Sequence, residues 1–326
     1  MTEPFFEQVL SLPEQLGWAP KVENDVPALS GRLIIAGLGG SAMAGEFAAE
    51  RLRPGRDVIV LREEFLPDWV RSDDEILCVS CSGNTSETAS IWKESSQRNL
   101  ARRAVASGGE LQALAEEEGK PFCQVPARFA PRASVGYLIS AILAAAGSPL
   151  DDATRRDIQS HLKEAEAHWI GGGGDDSRSY TLAKTLHHRL PIFVTWGEAL
   201  QSVGARWVID LAENAKEPGL HWAFPEANHN AVMVFAEEAR GGHPLYLVQL
   251  GSLRDPRHVR RWETLQGLLQ ENEINVEPVR QDHEDVWIEG LGLVYIAGLV
   301  TTALAEIEGV SASSLSLMDK LKARLS

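Results

Sequence analysis

The feature that most constrains the fold is a regular alternation of short apolar runs with longer amphipathic segments. In the first half of the chain, a segment with helical periodicity follows each of five apolar runs: LIIAG, DVIVL, ILCVS, RAVAS and FCQVP. This alternation is typical of βαβ units, in which crossover helices join parallel strands. The pattern predicts a doubly wound α/β domain with a parallel sheet.

The alternation restarts in the second half, with predicted strands at LPIFVTW, AVMVF, PLYLVQL and INVEPV. A chain of 326 residues exceeds what one hydrophobic core usually organises, so two domains are expected. Four consecutive glycines at 171–174 suit neither a helix nor a strand. We predict an N-terminal domain over 1–150, a helix and glycine-rich linker over 151–174, and a C-terminal domain with the closing helices over 175–326.

Charge and composition exclude several classes of partner. The formal net charge of −15 argues against nucleic acid or an anionic membrane surface, which need clustered Lys and Arg. The longest apolar run, over 290–305, is shorter than the roughly 20 residues that span a bilayer, so it indicates a buried or interface helix. MTEPFFEQVL lacks signal-peptide features, and three cysteines make no disulfide framework. A cytosolic protein is expected.

Two cysteines, Cys78 and Cys81, form a C-x-x-C. No second pair follows at zinc-ribbon spacing, and both lie on or just past a predicted strand, so they are interpreted as small strand residues. The histidines at 187, 188 and 283 also lack metal-ligand spacing. We predict neither a metal nor any other cofactor.

A glycine-rich loop follows the first predicted strand, in LIIAGLGGSAMAG. Its Gly39, Gly40 and Ser41 would open a helix whose backbone N–H groups form an anion site. Gly37, Gly39 and Ala42 also satisfy a dinucleotide fingerprint, with Glu63 or Glu64 as the ribose acid. This leaves a nicotinamide-dependent dehydrogenase as an alternative, which a lack of NAD binding would exclude.

A second polar loop follows the third predicted strand, in LCVSCSGNTSET. Hydroxyl donors and helix-start amides together suit the three terminal oxygens of a phosphomonoester. Ordinary helix capping would account for one such residue but not for the whole cluster. The predicted phosphate ligands from this loop are Ser80, Ser82, Thr85 and Thr88.

The two loops GLGGSAMAG and SCSGNTSET resemble the sugar isomerase (SIS) domain of glucosamine-6-phosphate synthase and related proteins. Together with APRASVGYL, LAENAK, EANHN and a Lys-bearing C-terminal helix, they resemble the bifunctional phosphoglucose/phosphomannose isomerase family over nearly the whole chain. The resemblance implies two flavodoxin-like SIS subdomains in a metal-independent homodimer with a shared active site. It also implies interconversion of fructose 6-phosphate with glucose 6-phosphate, and with mannose 6-phosphate, through an enediol.

Aldose–ketose isomerisation needs a base, a ring-opening group and a cation near the developing oxyanion. Glu213 lies outside the apolar stripe of its predicted helix, and it matches the family's proton-transferring base. His229 is flanked by asparagines, and the resemblance implies a ring-opening role across the dimer. Arg132 opens an apolar helix, and in the family this arginine faces the substrate.

The C-terminal helix SSLSLMDKLKARL supplies the last predicted catalytic residue. At about 100° per residue, Lys322 borders the face that contains Met318 and Leu321, which is predicted to be buried, whereas Lys320 points away. The family pattern selects the same Lys322. Just upstream, this chain has SASSL at 311–315 where family members often carry a proline-bearing segment, which affects the expected preference between glucose and mannose epimers.

A non-catalytic sugar-phosphate-binding regulator is the second function class that fits the loops. Such a protein would keep both phosphate loops but would not need Glu213, His229 and Lys322 together. The presence of all three favours the enzyme.

Overall fold

The computed structural model of the chain describes residues 4–24, 31–235 and 245–325. The chain divides into two compact units, which we call the N-terminal unit (Ser11–Ser160) and the C-terminal unit (His161–Ser326 with Met1–Leu10). The division falls within one long helix, Asp152–Ile170. The domain boundaries drawn from the glycine run stay a prediction.

The N-terminal unit contains a six-stranded sheet with helices between its strands. Its strands are β1 (Val22–Glu23), β2 (Leu33–Ala36), β3 (Val58–Leu61), β4 (Glu75–Ser80), β5 (Ala101–Ala106) and β6 (Phe122–Gln124). Its order is β1-β6-β5-β4-β2-β3, and every pair is parallel except the antiparallel pair β1–β6. All residues of β2 and β4 are buried, as expected for parallel strands covered on both faces.

The C-terminal unit contains a four-stranded sheet that is parallel throughout. Its strands are β7 (Leu190–Trp196), β8 (Leu220–Phe224), β9 (Leu245–Leu250) and β10 (Val276–Val279), in the order β10-β9-β7-β8. Its core includes stacked aromatic rings, among them Trp196 and Phe224 with centroids 4.9 Å apart. The two sheets confirm the predicted fold class of two doubly wound parallel-sheet units followed by C-terminal helices.

The α-helices are numbered in chain order. They are α1 (Pro4–Leu10), α2 (Leu12–Gly17), α3 (Gly39–Leu52), α4 (Ser86–Gln97), α5 (Gly109–Glu117), α6 (Val135–Ala145), α7 (Asp152–Ile170), α8 (Arg178–Leu186), α9 (Gln201–Asp210), α10 (Pro256–Glu271), α11 (Val286–Ile307) and α12 (Ser316–Leu325). Single turns of 3-10 helix occur at Pro131–Ala133 and Glu226–His229, and a π-helical turn occurs at Leu211–Ala215.

One predicted strand is wrong. Within AVMVF, residues 231–232 form a turn and residues 233–235 are helical; the Val232 N–H donates to Ala227 O and the Phe235 N–H donates to Val232 O. The second strand of this sheet along the chain is instead β8, which begins eleven residues earlier, pairs with β7 and is mostly half-buried. The prediction chose AVMVF because all five of its residues are apolar, whereas β8 contains His221 and begins at the exposed Leu220.

Helix α11 lies in the core of the protein. Within the described residues it is the one helix long and apolar enough to cross a membrane by length and composition, but 94% of its apolar window is buried inside the chain. Its surface is therefore covered within the chain and not by a second subunit. The prediction that this apolar run is a buried helix is confirmed.

Both Cys78 and Cys123 are buried free thiols. Burial raises the pKa of the Cys78 thiol to about 12, so this thiol stays protonated at neutral pH. The cysteines of the C-x-x-C therefore act as small packing residues of β4 and the loop after it.

Candidate functional site

The sheet order of the N-terminal unit fixes where a ligand crevice lies. From β2 the chain continues to β3, toward one edge of the sheet. From β4 it continues to β5, toward the opposite edge. In open α/β sheets, ligands bind at the carboxyl ends of the strands, where the loops diverge at such a switch point. The loop from β2 to α3 and the loop from β4 to α4 both begin there.

The glycines of the first loop allow backbone segments to approach each other closely. A Cβ atom at residue 37 would lie 2.8 Å from the Val79 carbonyl oxygen, and one at residue 40 would lie 3.2 Å from the Pro131 carbonyl oxygen. Gly39 has φ +53°, a conformation that favours glycine. The loop therefore brings the start of α3 against both β4 and the turn Pro131–Ala133.

Hydroxyl groups organise the second loop and connect it to the first. Ser41 Oγ accepts a hydrogen bond from the Cys81 backbone N–H at 3.1 Å. Ser80 Oγ accepts from the Gly83 N–H at 3.0 Å and lies 2.9 Å from Thr85 Oγ1. Because these bonds fix the path of the chain between β4 and α4, the loop is preformed.

The four hydroxyl residues of the second loop differ in exposure. Ser82 is exposed and accepts a 3.2 Å hydrogen bond from the Asn84 N–H, whereas Thr85 is half-buried and Ser80 is buried. The Thr88 hydroxyl is also buried and has no hydrogen-bond partner among the described residues. Ser82 and Thr85 are therefore the members of this loop that a ligand from solvent reaches most directly.

Arg132 lies beside the glycine loop. It belongs to the single turn Pro131–Ala133 and is 3% exposed. A Cβ atom at Gly40 would lie 3.5 Å from the Arg132 backbone nitrogen, so the two segments are in direct contact. The structure thus brings Arg132, Gly40 and Ser41 to the same edge of the N-terminal sheet as the serine loop.

Asn84 is a site residue that the sequence reasoning did not select. Its Oδ1 accepts a 3.0 Å hydrogen bond from the Glu110 N–H in the first turn of α5, which ties the serine loop to the next crossover. A Cβ atom at Gly109 would lie 2.5 Å from this Oδ1. The paired glycines at 108–109, directly after β5, are the sequence signal for this close approach.

Glu213 lies in the π-helical turn Leu211–Ala215, directly after α9. Such turns are rare and frequently occur at functional sites. The buried Asn214 donates from Nδ2 to Thr301 Oγ1 of α11 at 3.0 Å, which anchors the turn. The half-buried Glu213 is thus carried on a backbone segment that is fixed to the longest helix of the C-terminal unit.

Lys216 secures the same turn from the other side. It adopts a left-handed conformation with φ +61°, and its Nζ donates to Glu213 O at 2.6 Å and to Ser311 O at 2.8 Å. Ser311 begins the SASSL segment, which we predicted from the sequence to differ from the resembled family. This segment therefore contacts the turn that carries Glu213, a relation that spacing in the sequence does not reveal.

The remaining predicted residues, His229 and Lys322, also belong to the C-terminal unit. His229 is exposed and ends the single turn Glu226–His229. Lys322 lies on α12, but its side chain is outside the part that the structure describes. On the same helix, Leu321 is 57% exposed and Met318 is 37% exposed, so the expected burial of this face is wrong for the single chain.

The chain is similar in sequence to known proteins. Residues 175–325 match the model of the bacterial phospho-glucose isomerase C-terminal SIS domain. A bifunctional phosphoglucose/phosphomannose isomerase from Aquifex aeolicus is 26% identical over 99% of this chain and 98% of its own length. One from Caldicellulosiruptor bescii is also 26% identical, over 98% of each chain.

The chain is similar over nearly its whole length to bifunctional phosphoglucose/phosphomannose isomerases, and its C-terminal part matches the SIS domain of bacterial phospho-glucose isomerases. The fold agrees as well. The crystal structure of tagatose-6-phosphate ketose/aldose isomerase from Escherichia coli superposes with a TM-score of 0.71 at 13% identity, covering 96% of this chain and 97% of that one. The similarity to these isomerases over nearly the whole chain confirms the resemblance drawn from the loop motifs.

Proposed function

We propose that this protein is an aldose–ketose isomerase that interconverts fructose 6-phosphate with glucose 6-phosphate, and with mannose 6-phosphate, through an enediol. The observation that supports this most strongly is the preformed hydroxyl loop at the switch point of the N-terminal sheet. Exposed hydroxyl and amide donors suit a terminal phosphate, whereas a dinucleotide would not require this second loop. The relatives carry the same activities in their names.

The phosphate is proposed to bind between the glycine loop and the serine loop. Backbone N–H groups at the starts of α3 and α4 are available to bind the phosphate, because the first N–H groups of a helix have no partner within that helix. Among the hydroxyls, Ser82 and Thr85 would contact the phosphate, and Ser80 would hold the loop in place. The other proposed contributors are Gly39, Gly40, Ser41 and Thr88.

The chemistry is proposed to be proton transfer by Glu213. Its carboxylate takes a proton from C1 of the open-chain ketose, which gives the enediol, and returns a proton to C2. The guanidinium of Arg132 and the ammonium of Lys322 stabilise the developing negative charge on oxygen. His229 assists opening of the sugar ring, because an imidazole can give and take a proton near neutral pH.

A homodimer is part of the proposal. The exposed His229 is offered as the group that one subunit contributes to the active site of its partner. Leu317, at 81% exposed, and Leu321 form an uncovered apolar stretch of α12 that a second subunit could bury. Three free cysteines support a reducing compartment, and we propose a cytosolic location.

The test is incubation of the purified protein with fructose 6-phosphate, followed by NMR identification of the products. Formation of glucose 6-phosphate supports the isomerase, and formation of mannose 6-phosphate defines its second activity. Tight binding without formation of either aldose would contradict the proposal and favour a non-catalytic sugar-phosphate-binding regulator.

A further inference from the structure

A compact group of histidine and carboxylate side chains lies in the C-terminal unit, at residues to which the proposed isomerase chemistry assigns no role. His187 and His188 follow α8, and Glu308 follows α11. Each of the three offers one nitrogen or oxygen donor atom, and these atoms all lie within 4.8 Å of one another. Glu308 is 121 residues from His187 in sequence, so ligand spacing along the chain does not reveal the group.

The backbone conformation brings the two neighbouring imidazoles together. His188 has φ +59°, which is uncommon for a residue other than glycine. In an extended chain, consecutive side chains point to opposite sides, whereas here the ring centroids are 3.6 Å apart. His187 Nδ1 also lies 2.6 Å from Glu308 Oε1. The local strain at His188 thus coincides with a convergence of three donor atoms.

We propose that His187, His188 and Glu308 bind a divalent transition-metal ion of the zinc class. Imidazole nitrogens and carboxylate oxygens are ligands that such ions accept. Zinc lies about 2.0–2.2 Å from these atoms, so two donors on one ion are up to roughly 4 Å apart. The donor atoms lie within 4.8 Å of one another, so side-chain rotations that shorten the longest distance by about 1 Å are sufficient for all of them to bind one ion.

The bound ion would stabilise the fold and take no part in the isomerase reaction. It joins two segments that are distant in sequence, the turn after α8 and the end of α11. Binding to the folded chain but not to the unfolded chain raises the thermal midpoint. The inference is independent of the proposed isomerase activity, because proton transfer through an enediol requires no metal.

The experiment uses the full chain without a polyhistidine tag, stripped with EDTA and then dialysed. Calorimetric titration with Zn²⁺ is expected to give one ion bound per chain. Co²⁺ is expected to give visible d–d absorption bands from the same site. His188→Asn removes the imidazole but keeps a residue that tolerates positive φ, and it should weaken Zn²⁺ binding at least about tenfold.

His168→Gln is the matched control, because His168 is an exposed histidine of the same unit outside the group. It should bind Zn²⁺ like the wild type. Glu308→Gln, which conserves size, is the second test variant and should also weaken binding; circular dichroism checks that both variants are folded. No stoichiometric binding by the wild type, or equal binding by folded His188→Asn and Glu308→Gln, would overturn the proposal.

Discussion

Replacement of Ser82 by alanine tests the serine loop as the phosphate site. Ser82 is exposed, and its Oγ accepts one long hydrogen bond, of 3.2 Å, from the Asn84 N–H. Ser80 and Thr85 hold the loop through bonds that do not involve Ser82. The substitution should therefore leave the fold intact, with a cost of at most about 1 kcal/mol in unfolding free energy.

Ligand affinity should respond much more strongly. A hydrogen bond to a charged group contributes about 1.5 to 3 kcal/mol, so its loss weakens binding roughly 10- to 150-fold. Calorimetry with 5-phosphoarabinonate, a non-reacting analogue of the open-chain sugar, measures this change without turnover. The same loss should appear for fructose 6-phosphate.

Ser72→Ala provides the matched control. Ser72 is an exposed serine just before β4, at the opposite end of that strand from the serine loop. As an ordinary surface position, it should change affinity by no more than about twofold. Unchanged affinity in Ser82→Ala, or an equal loss in both variants, would refute the placement of the phosphate at this loop.

Three further predictions concern stability, metals and the reaction path. The hydrogen bond from Arg32 lowers the pKa of Asp74. The ionised Asp74 carboxylate therefore stabilises the fold above about pH 4, and this stabilisation is lost as the pH falls through the lowered pKa. Asp74→Asn should therefore reduce the unfolding free energy, measured by urea denaturation, by about 1.5 to 3 kcal/mol at pH 7 and by less at pH 3. An equal reduction at the two pH values would contradict this explanation. Exhaustive EDTA treatment should leave isomerase activity intact while lowering the thermal midpoint, and activity restored only by zinc would count against a metal-independent reaction. In D₂O, the glucose 6-phosphate formed should carry deuterium at C2, at least in part, whereas a hydride shift would leave none.

The strands most visible in the sequence are those buried on both faces. β2 and β4 are continuous apolar runs, and parallel strands of this kind have few other interpretations. β8 was missed because it is half-buried and carries His221 and Trp222. Residues 231–235 have strand-like composition, but their N–H groups bond within local turns. Composition alone does not show which backbone groups are already paired.

The candidate site could be predicted where it depends on local sequence. The glycine and serine loops each follow a strand and precede a helix, so their residue types reveal an anion-binding crevice. The π-helical turn at Glu213 could not be predicted, since it depends on the bond from Asn214 to Thr301, 87 residues away. The contact of Lys216 with Ser311 is equally non-local.

The central claim is that Glu213 transfers the proton, and Glu213→Gln tests it most directly. Glutamine keeps the size and hydrogen-bonding reach of the side chain but removes the base. The variant should bind 5-phosphoarabinonate with near wild-type affinity and lose about 10²- to 10⁴-fold in turnover of fructose 6-phosphate. Glu271→Gln, at the exposed end of α10, should keep full turnover. Turnover near the wild-type rate in Glu213→Gln would contradict the assignment of the base.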